Sequence, residues 1–172
     1  MLCYILLKQD TKLWIVFYEF LRNNLNNLKF GSRKFHPPAD EGNAIISFVN
    51  TLLYSVIYSE LYNTELDTSI GFLHEPCSRK PSLVLDIADI FKPLISSSIL
   101  LKCDSLLSES DFEKKQKGIY LSHEGRKKVI ELFQKKMEKV VFCKKLKKEV
   151  KIRTAIRAEC LRLRDWIEFI QY

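Results

Sequence analysis

Between Thr11 and Leu28 the apolar residues Leu13, Trp14, Phe17, Phe20, Leu21, Leu25 and Leu28 recur at spacings of three and four. That period puts them on one stripe of an amphipathic helix. The segment from Lys29 to Asp40 contains Gly31 and the pair Pro37-Pro38, which cannot sit inside a helix, and it reads as a loop. A second helix is predicted from Asn43 to Tyr62. It carries Ile45, Phe48, Val49, Leu52, Leu53, Val56, Ile57 and Leu61, with no charge until Glu60, so it is apolar nearly all round and belongs in the middle of the fold. The connection from Thr64 to Pro81 holds Gly71, Pro76 and Pro81. Ser82 is placed to cap a third helix through Lys102, interrupted or restarted at Pro93. After a polar loop, Gly118 to Leu121 is short enough to be a minor strand. Ser122 then caps a helix from His123 to about Phe142, and a last helix runs from about Val150 to Ile170. The pattern predicts an all-α fold, a single helical domain of about six helices with almost no sheet.

Composition supports one folded domain over residues 1–172: hydrophobic residues are 47% and charged residues 28%, which excludes disordered and collagenous classes. Five Gly and five Pro are too few for the regularly spaced turns of a sandwich or barrel. The net charge of +7 is concentrated. Residues 1–113 sum to −4, residues 114–157 to +12 and residues 158–172 to −1. An acidic body with one basic stretch is the footprint of a polyanion binder, and also of a solvated Lys-rich face. The five cysteines are widely spaced and form no C-x-x-C pair, which indicates neither a disulfide framework nor a structural zinc site. The residues Met1 to Leu7 lack the basic start and the length of a signal peptide, and no run approaches the roughly 18 or more consecutive apolar residues of a membrane span. A cytoplasmic protein with no membrane partner is expected.

No phosphate-binding G-x-x-x-x-G-K-S/T loop, dinucleotide G-x-G-x-x-G or nucleophile G-x-S-x-G occurs in the sequence, so nucleotide-cofactor and serine-hydrolase chemistry has no local support. What remains is His74 on a loop, with Asp86 and Asp89 three apart on the helix that the loop enters. Imidazole plus carboxylates suits Mn²⁺, Fe²⁺, Zn²⁺ or Mg²⁺. The plainer alternative has His74 packing its loop and the two aspartates facing water near a helix start.

Four separated stretches carry a family resemblance: PPADEGNAIISFVNTLLYSVIYSEL, IGFLHEPCSRKPSLVLDIADIFKPLI, GIYLSHEGRKKVIELF and KIRTAIRAECLRL. In order and spacing they resemble the CRISPR-associated endonuclease/integrase of spacer acquisition, in its C-terminal helical catalytic domain. The most specific pieces are Gly71-Phe72-Leu73-His74, Asp86-Ile87-Ala88-Asp89 and Phe91-Lys92-Pro93. The resemblance implies a metal-dependent DNA endonuclease/integrase that uses Mn²⁺ or Mg²⁺ to cut DNA or to join a spacer to a repeat. Its implied partners are spacer-precursor and repeat DNA, a second copy of itself and a second adaptation subunit.

The resemblance also implies the ligands His74 and Asp89, both intact, and a Glu from an E-G-x-x-A segment. Here Asp10, ahead of Phe17-Tyr18, stands where that Glu is expected. Asp is one methylene shorter, which withdraws its oxygens by about 1.5 Å, and metal distances tolerate only about ±0.2 Å. Asp10 is therefore expected to be a weakened third ligand. Asp86 is a supporting or alternative ligand, or a first-turn carboxylate favoured by the helix dipole. The family's N-terminal β-domain has no counterpart in this sequence, so an N-terminally truncated member is expected, with Leu2, Tyr4, Ile5 and Leu6 exposed.

Phosphate contacts are expected from Lys144, Lys145, Lys147, Lys148, Lys151, Arg153 and Arg157, joined by Arg126, Lys127 and Lys128. Arg33 and Lys34 resemble a basic segment beside the family's site. His36 and His123 carry no comparable pattern, and Tyr54, Tyr58 and Tyr62, four apart, read as core packing. A catalytically silent DNA-binding or scaffolding remnant is the alternative function.

Overall fold

A computed structural model describes residues 2–34, 36–74, 81–143 and 146–170, with side chains from residue 12 to residue 169 within those ranges. The element order is α1 (Leu2–Asn23), α2 (Glu41–Tyr62), α3 (Ser82–Leu106), a 3-10 turn (Glu109–Asp111), β1 (Phe112–Lys115), β2 (Gly118–Leu121), α4 (His123–Met137), β3 (Val140–Cys143), β4 (Lys148–Lys151) and α5 (Ile152–Ile170). The chain is predominantly helical, as the periodicity predicts. Among the described residues the only sheets are two antiparallel hairpins, β1–β2 and β3–β4. The chain divides into two compact units, Met1–Asn50 with Pro93–Phe133, and Thr51–Lys92 with Gln134–Tyr172.

In the first unit Leu21 of α1, Ile45 and Val49 of α2, Ile95, Ile99 and Leu100 of α3 and Val129 of α4 are buried, whereas Leu13 and Phe20 of the predicted α1 stripe are exposed. Helix α1 ends at Asn23 and not at Leu28. The cause is Asp104 on α3, whose carboxylate accepts the backbone N–H groups of Asn26, Asn27 and Leu28 at 2.8–2.9 Å. Donors that a continuing helix would send back along the chain are taken by that side chain. Asp40 caps α2 by accepting the N–H of Asn43 at 2.8 Å, and Ser122 caps α4 by accepting that of Gly125 at 3.2 Å. The polar loop expected before Gly118 contains β1, which pairs with β2 from Phe112↔Leu121 to Lys115↔Gly118.

The second unit packs Leu53, Ile57 and Leu61 of α2, Val84, Ile87 and Ala88 of α3, and Ile152, Ile156 and Cys160 of α5 as buried residues. Here the expected helix to Phe142 stops at Met137. The run Val140-Val141-Phe142-Cys143 is β-branched and aromatic, which favours a pleated strand, and it pairs with Lys148–Lys151 in the register Val140↔Lys151 to Cys143↔Lys148. Lys147 takes a left-handed φ of 50° before the returning strand. Consequently α5 starts at Ile152, not Val150, with the Ile152 N–H donating to the Lys139 carbonyl at 2.9 Å.

Helix α3 runs through Pro93 without a break. Proline has no N–H, so the carbonyl four residues earlier, that of Asp89, lacks its usual helical donor. Helix α2 is long and apolar enough to cross a membrane by length and composition alone, with half of that stretch buried. Its Asn43, Asn50 and Glu60 are buried against protein partners, which is the situation of a core helix. Cys103, Cys143 and Cys160 are free thiols.

Candidate metal centre and basic surface

The loop before α3 is fastened at its base and at its tip. At the base Ser82, expected to cap α3, donates its hydroxyl to the Ser69 carbonyl at 3.0 Å, and the Leu83 N–H donates to Thr68 at 3.1 Å. At the tip Asp86, one turn into α3 and buried, accepts the backbone N–H groups of Phe72 (2.6 Å), Leu73 (3.1 Å) and His74 (3.0 Å). Gly71 makes the approach possible. A Cβ at that position would stand 2.7 Å from Asp86 Oδ2 and 2.7 Å from Ser82 Cβ. Asp86 is thus neither a solvated helix-start carboxylate nor free to serve as an alternative ligand; it is the anchor of the loop.

The same carboxylate reaches the imidazole. His74 Nδ1 lies 2.6 Å from Asp86 Oδ1. Donation from Nδ1 to this carboxylate is the arrangement that leaves Nε2 as the lone-pair nitrogen of the imidazole. Nε2 stands 4.0 Å from Asp89 Oδ2. His74 is about two-fifths exposed and Asp89 is mostly covered. Donors about 2.1 Å from one octahedral cation stand about 3.0 Å apart when adjacent and about 4.2 Å apart when opposite, so these two atoms are close enough to share an ion. The other oxygen of Asp89 is held by Lys92, whose Nζ lies 2.5 Å away and 5.1 Å from the Tyr54 ring centroid. Burial pulls the Lys92 pKa down, the Asp89 carboxylate and Tyr54 outweigh it, and the net shift is upward. The ammonium therefore stays charged.

His74 and Asp89 fit the donor set expected of a hard or borderline cation, with Asp86 orienting the imidazole. The side chain of Asp10 lies outside the described residues. Among the described residues no group of three or more His, Cys, Asp or Glu side chains forms a metal-binding cluster. Lys92 was given no role by sequence reasoning, although its i,i+3 spacing from Asp89 is that of a helical ion pair.

The basic residues fall in both units. In the first, Arg33 is half-buried and donates to Asn43 Oδ1 (2.8 Å), the Lys34 carbonyl (2.8 Å) and Ser47 Oγ (3.1 Å), fastening its loop to α2. Lys34 and Arg126 are exposed. Lys127 pairs with Glu124 at 2.9 Å and Lys128 with the buried Asp111 at 2.8 Å. In the second unit Lys147, Lys148 and Lys151 belong to the exposed hairpin, where Lys151 pairs with Glu138. Arg153 and Arg157 of α5 lie 3.4 Å and 3.8 Å from the two oxygens of Glu60, which is buried on α2. Lys144 and Lys145 lie outside the described residues. His36 and His123 are exposed. Tyr58 and Tyr62, expected in the core, are 48% and 80% exposed because that face of α2 is left uncovered.

The profile described as "CRISPR associated protein Cas1" matches residues 7–135, a span that contains His74, Asp86, Asp89 and Lys92. The chain belongs to the Cas1 family. A CRISPR-associated endonuclease Cas1 of Thermodesulfovibrio yellowstonii is 40% identical over 149 residues, 86% of this chain and 45% of that protein. One of Methanocaldococcus jannaschii is 42% identical over 140 residues, 80% of this chain and 44% of that protein. This chain thus spans somewhat under half the length of these Cas1 relatives. Among solved structures, a Cas1 protein of Thermotoga maritima superposes with a TM-score of 0.77 at 30% identity, covering 86% of this chain and 46% of that one. A casposase bound to its integration product superposes at 0.78 with 21% identity over 85% of this chain and 42% of that one; this likeness shows the shared helical fold.

Proposed function

We propose that the chain is the helical nuclease and integrase module of a Cas1 protein, cutting or joining DNA phosphodiesters during spacer acquisition. The observation that supports this most is the Asp86–His74–Asp89 arrangement, in which a buried carboxylate fixes the imidazole tautomer and leaves Nε2 and a second carboxylate 4.0 Å apart. His74 Nε2 and Asp89 Oδ2 are the atoms that would hold Mn²⁺ or Mg²⁺, which supplies Lewis-acid stabilisation of charge developing on a phosphodiester. The protein's own part is preorganisation. Asp86 holds both the ring and the loop that carries it, so His74 pays little reorganisation on meeting a ligand. Lys92 holds Asp89 in one orientation and keeps a positive charge beside the place where a phosphate would lie.

The expected partners are DNA, a second copy of the chain and a Cas2-type subunit, since structural neighbours include a Cas6-RT-Cas1–Cas2 complex and the casposase with DNA. A cytoplasmic location accompanies this role. The test is metal-dependent nicking of branched and duplex DNA by the purified chain. Stimulation by Mn²⁺ and loss on His74→Ala and Asp89→Ala are expected. Native helicity without metal-stimulated cleavage would sink the reading.

A second reading, a DNA-binding scaffold without catalysis, is favoured by one observation: Lys92 already places a cation against Asp89 at 2.5 Å. It expects salt-sensitive DNA binding that is indifferent to His74→Ala and Asp89→Ala. The same two variants separate the readings.

A further inference from the structure

Among the described residues nothing covers the outward face of the β3–β4 hairpin, and the candidate centre does not use it. Paired residues of an antiparallel ribbon share a face, so the register places Val140 with Lys151 and Phe142 with Glu149 on one side. Val140 is 58% and Phe142 64% exposed, while Val141 and Val150 on the opposite side are half-buried. Leu146 in the connecting turn is also exposed. In sequence, residues 138–151 include six lysines against two glutamates. Lys139 and Lys147 are exposed, as is Lys151, which is paired with Glu138.

An aromatic ring held in water within a positively charged ribbon matches a ligand that has flat apolar faces joined by negative links. We propose that this face is a docking platform for an unpaired stretch of DNA, with a base stacked on the Phe142 ring and the flanking phosphates met by Lys139 and Lys147. The inference rests on the reading of the chain as a DNA-acting protein and adds the form of the substrate. A duplex keeps its base faces inside its own stack, so only an unpaired segment can offer one to Phe142. The lysines supply a sequence-independent, salt-sensitive component.

The test compares binding of a 15-nucleotide thymidine tract, an abasic tract of the same length and a blunt duplex to the full chain by fluorescence anisotropy. The wild type is expected to prefer the thymidine tract to the abasic one. Phe142→Ala should weaken thymidine-tract binding by about 5- to 100-fold, the range of one lost stacking contact, and leave duplex binding unchanged. Phe142→Tyr should keep the preference. Lys139→Gln with Lys147→Gln should flatten the salt dependence for all three probes, which Phe142→Ala should not. Equal wild-type affinity for thymidine and abasic tracts, or an unaltered Phe142→Ala, would overturn the platform while wild-type duplex binding left the DNA reading standing. Loss of self-association in Phe142→Ala with oligonucleotide binding intact would assign the face to a protein partner and overturn the proposal likewise. Failure of the wild type to bind any of the probes would remove both.

Discussion

Asp86 gathers four donors onto one buried carboxylate, three from the backbone of residues 72–74 and one from the His74 ring. Such a group is satisfied only as a whole, because removing the acceptor strands every donor at once. Asp86→Ala is expected to cost about 3 kcal/mol in urea unfolding and to lower metal-stimulated cleavage by about 10- to 100-fold, whereas His74→Ala should lose cleavage at little cost in stability. Gly71→Ala, whose methyl would collide with Asp86 and Ser82, should follow Asp86→Ala in both measurements. Asp104 offers a check by pH. Burial raises its pKa, the N–H donors of Asn26, Leu28 and Asn27 outweigh that, and the carboxyl is held below its ordinary value of 3.8. A depressed folded pKa contributes stability that is complete above the unfolded value and is lost as pH falls through the folded one. The stability gap between wild type and Asp104→Asn should therefore be constant from pH 7 to about 5 and shrink below about pH 4, as measured by unfolding midpoints. At this scale His74 and Asp89 were singled out in sequence by the family resemblance, since their spacing alone left the plainer packing alternative open. The anchoring function of Asp86 was not legible, since its partners are backbone groups that carry no sequence signature.

At the scale of the element, apolar periodicity located α2 and α3 well, since their stripes are both long and buried. It failed between Met137 and Ile152. The Lys-rich composition there is equally suited to an exposed helix and to a two-stranded ribbon, and only the local run of Val140, Val141 and Phe142 favours the strand. Pro93 misled in the other direction, because the packing of Phe91, Ile95 and Ile99 outweighs one missing helical hydrogen bond. A sharper element-level test lies at the start of α4. Gly125 sits so close to the 3-10 turn that a Cβ would stand 2.3 Å from the Asp111 carbonyl oxygen, and the Ser122 N–H donates to the same oxygen at 2.8 Å. Alanine would normally favour a helix over glycine by about 1 kcal/mol. Here Gly125→Ala should instead destabilise by about 1–3 kcal/mol through overpacking, and a rise in the unfolding midpoint would contradict the close approach.

For the molecule as a whole, the basic stretch visible in the sequence overstates the charge available to a polyanion. Much of it is already engaged: Lys127 with Glu124, Lys128 with Asp111, Lys151 with Glu138, and Arg153 and Arg157 with Glu60. Net charge alone could not reveal this, because the neutralising acids come from positions as distant as Glu60. Each phosphate neutralised contributes about −0.9 to the slope of log affinity against log salt on duplex DNA. The twelve basic residues singled out from sequence would give a slope near about −11 if all engaged phosphate; the pairing makes about −4 to −6 the expected value. Glu60 is the informative position, since one buried carboxylate restrains two arginines. Glu60→Gln removes the charge while keeping the shape, so Arg153 and Arg157 become available to phosphate. Duplex binding measured from 50 to 300 mM KCl should then steepen by about 1–2 units and tighten at the low-salt end by about 5- to 30-fold, while Lys127→Gln should change the slope by less than about 1. An unchanged slope in Glu60→Gln would mean that the two arginines serve the packing of α5 on α2 and that the phosphate contacts lie elsewhere, on the hairpin and the start of α4.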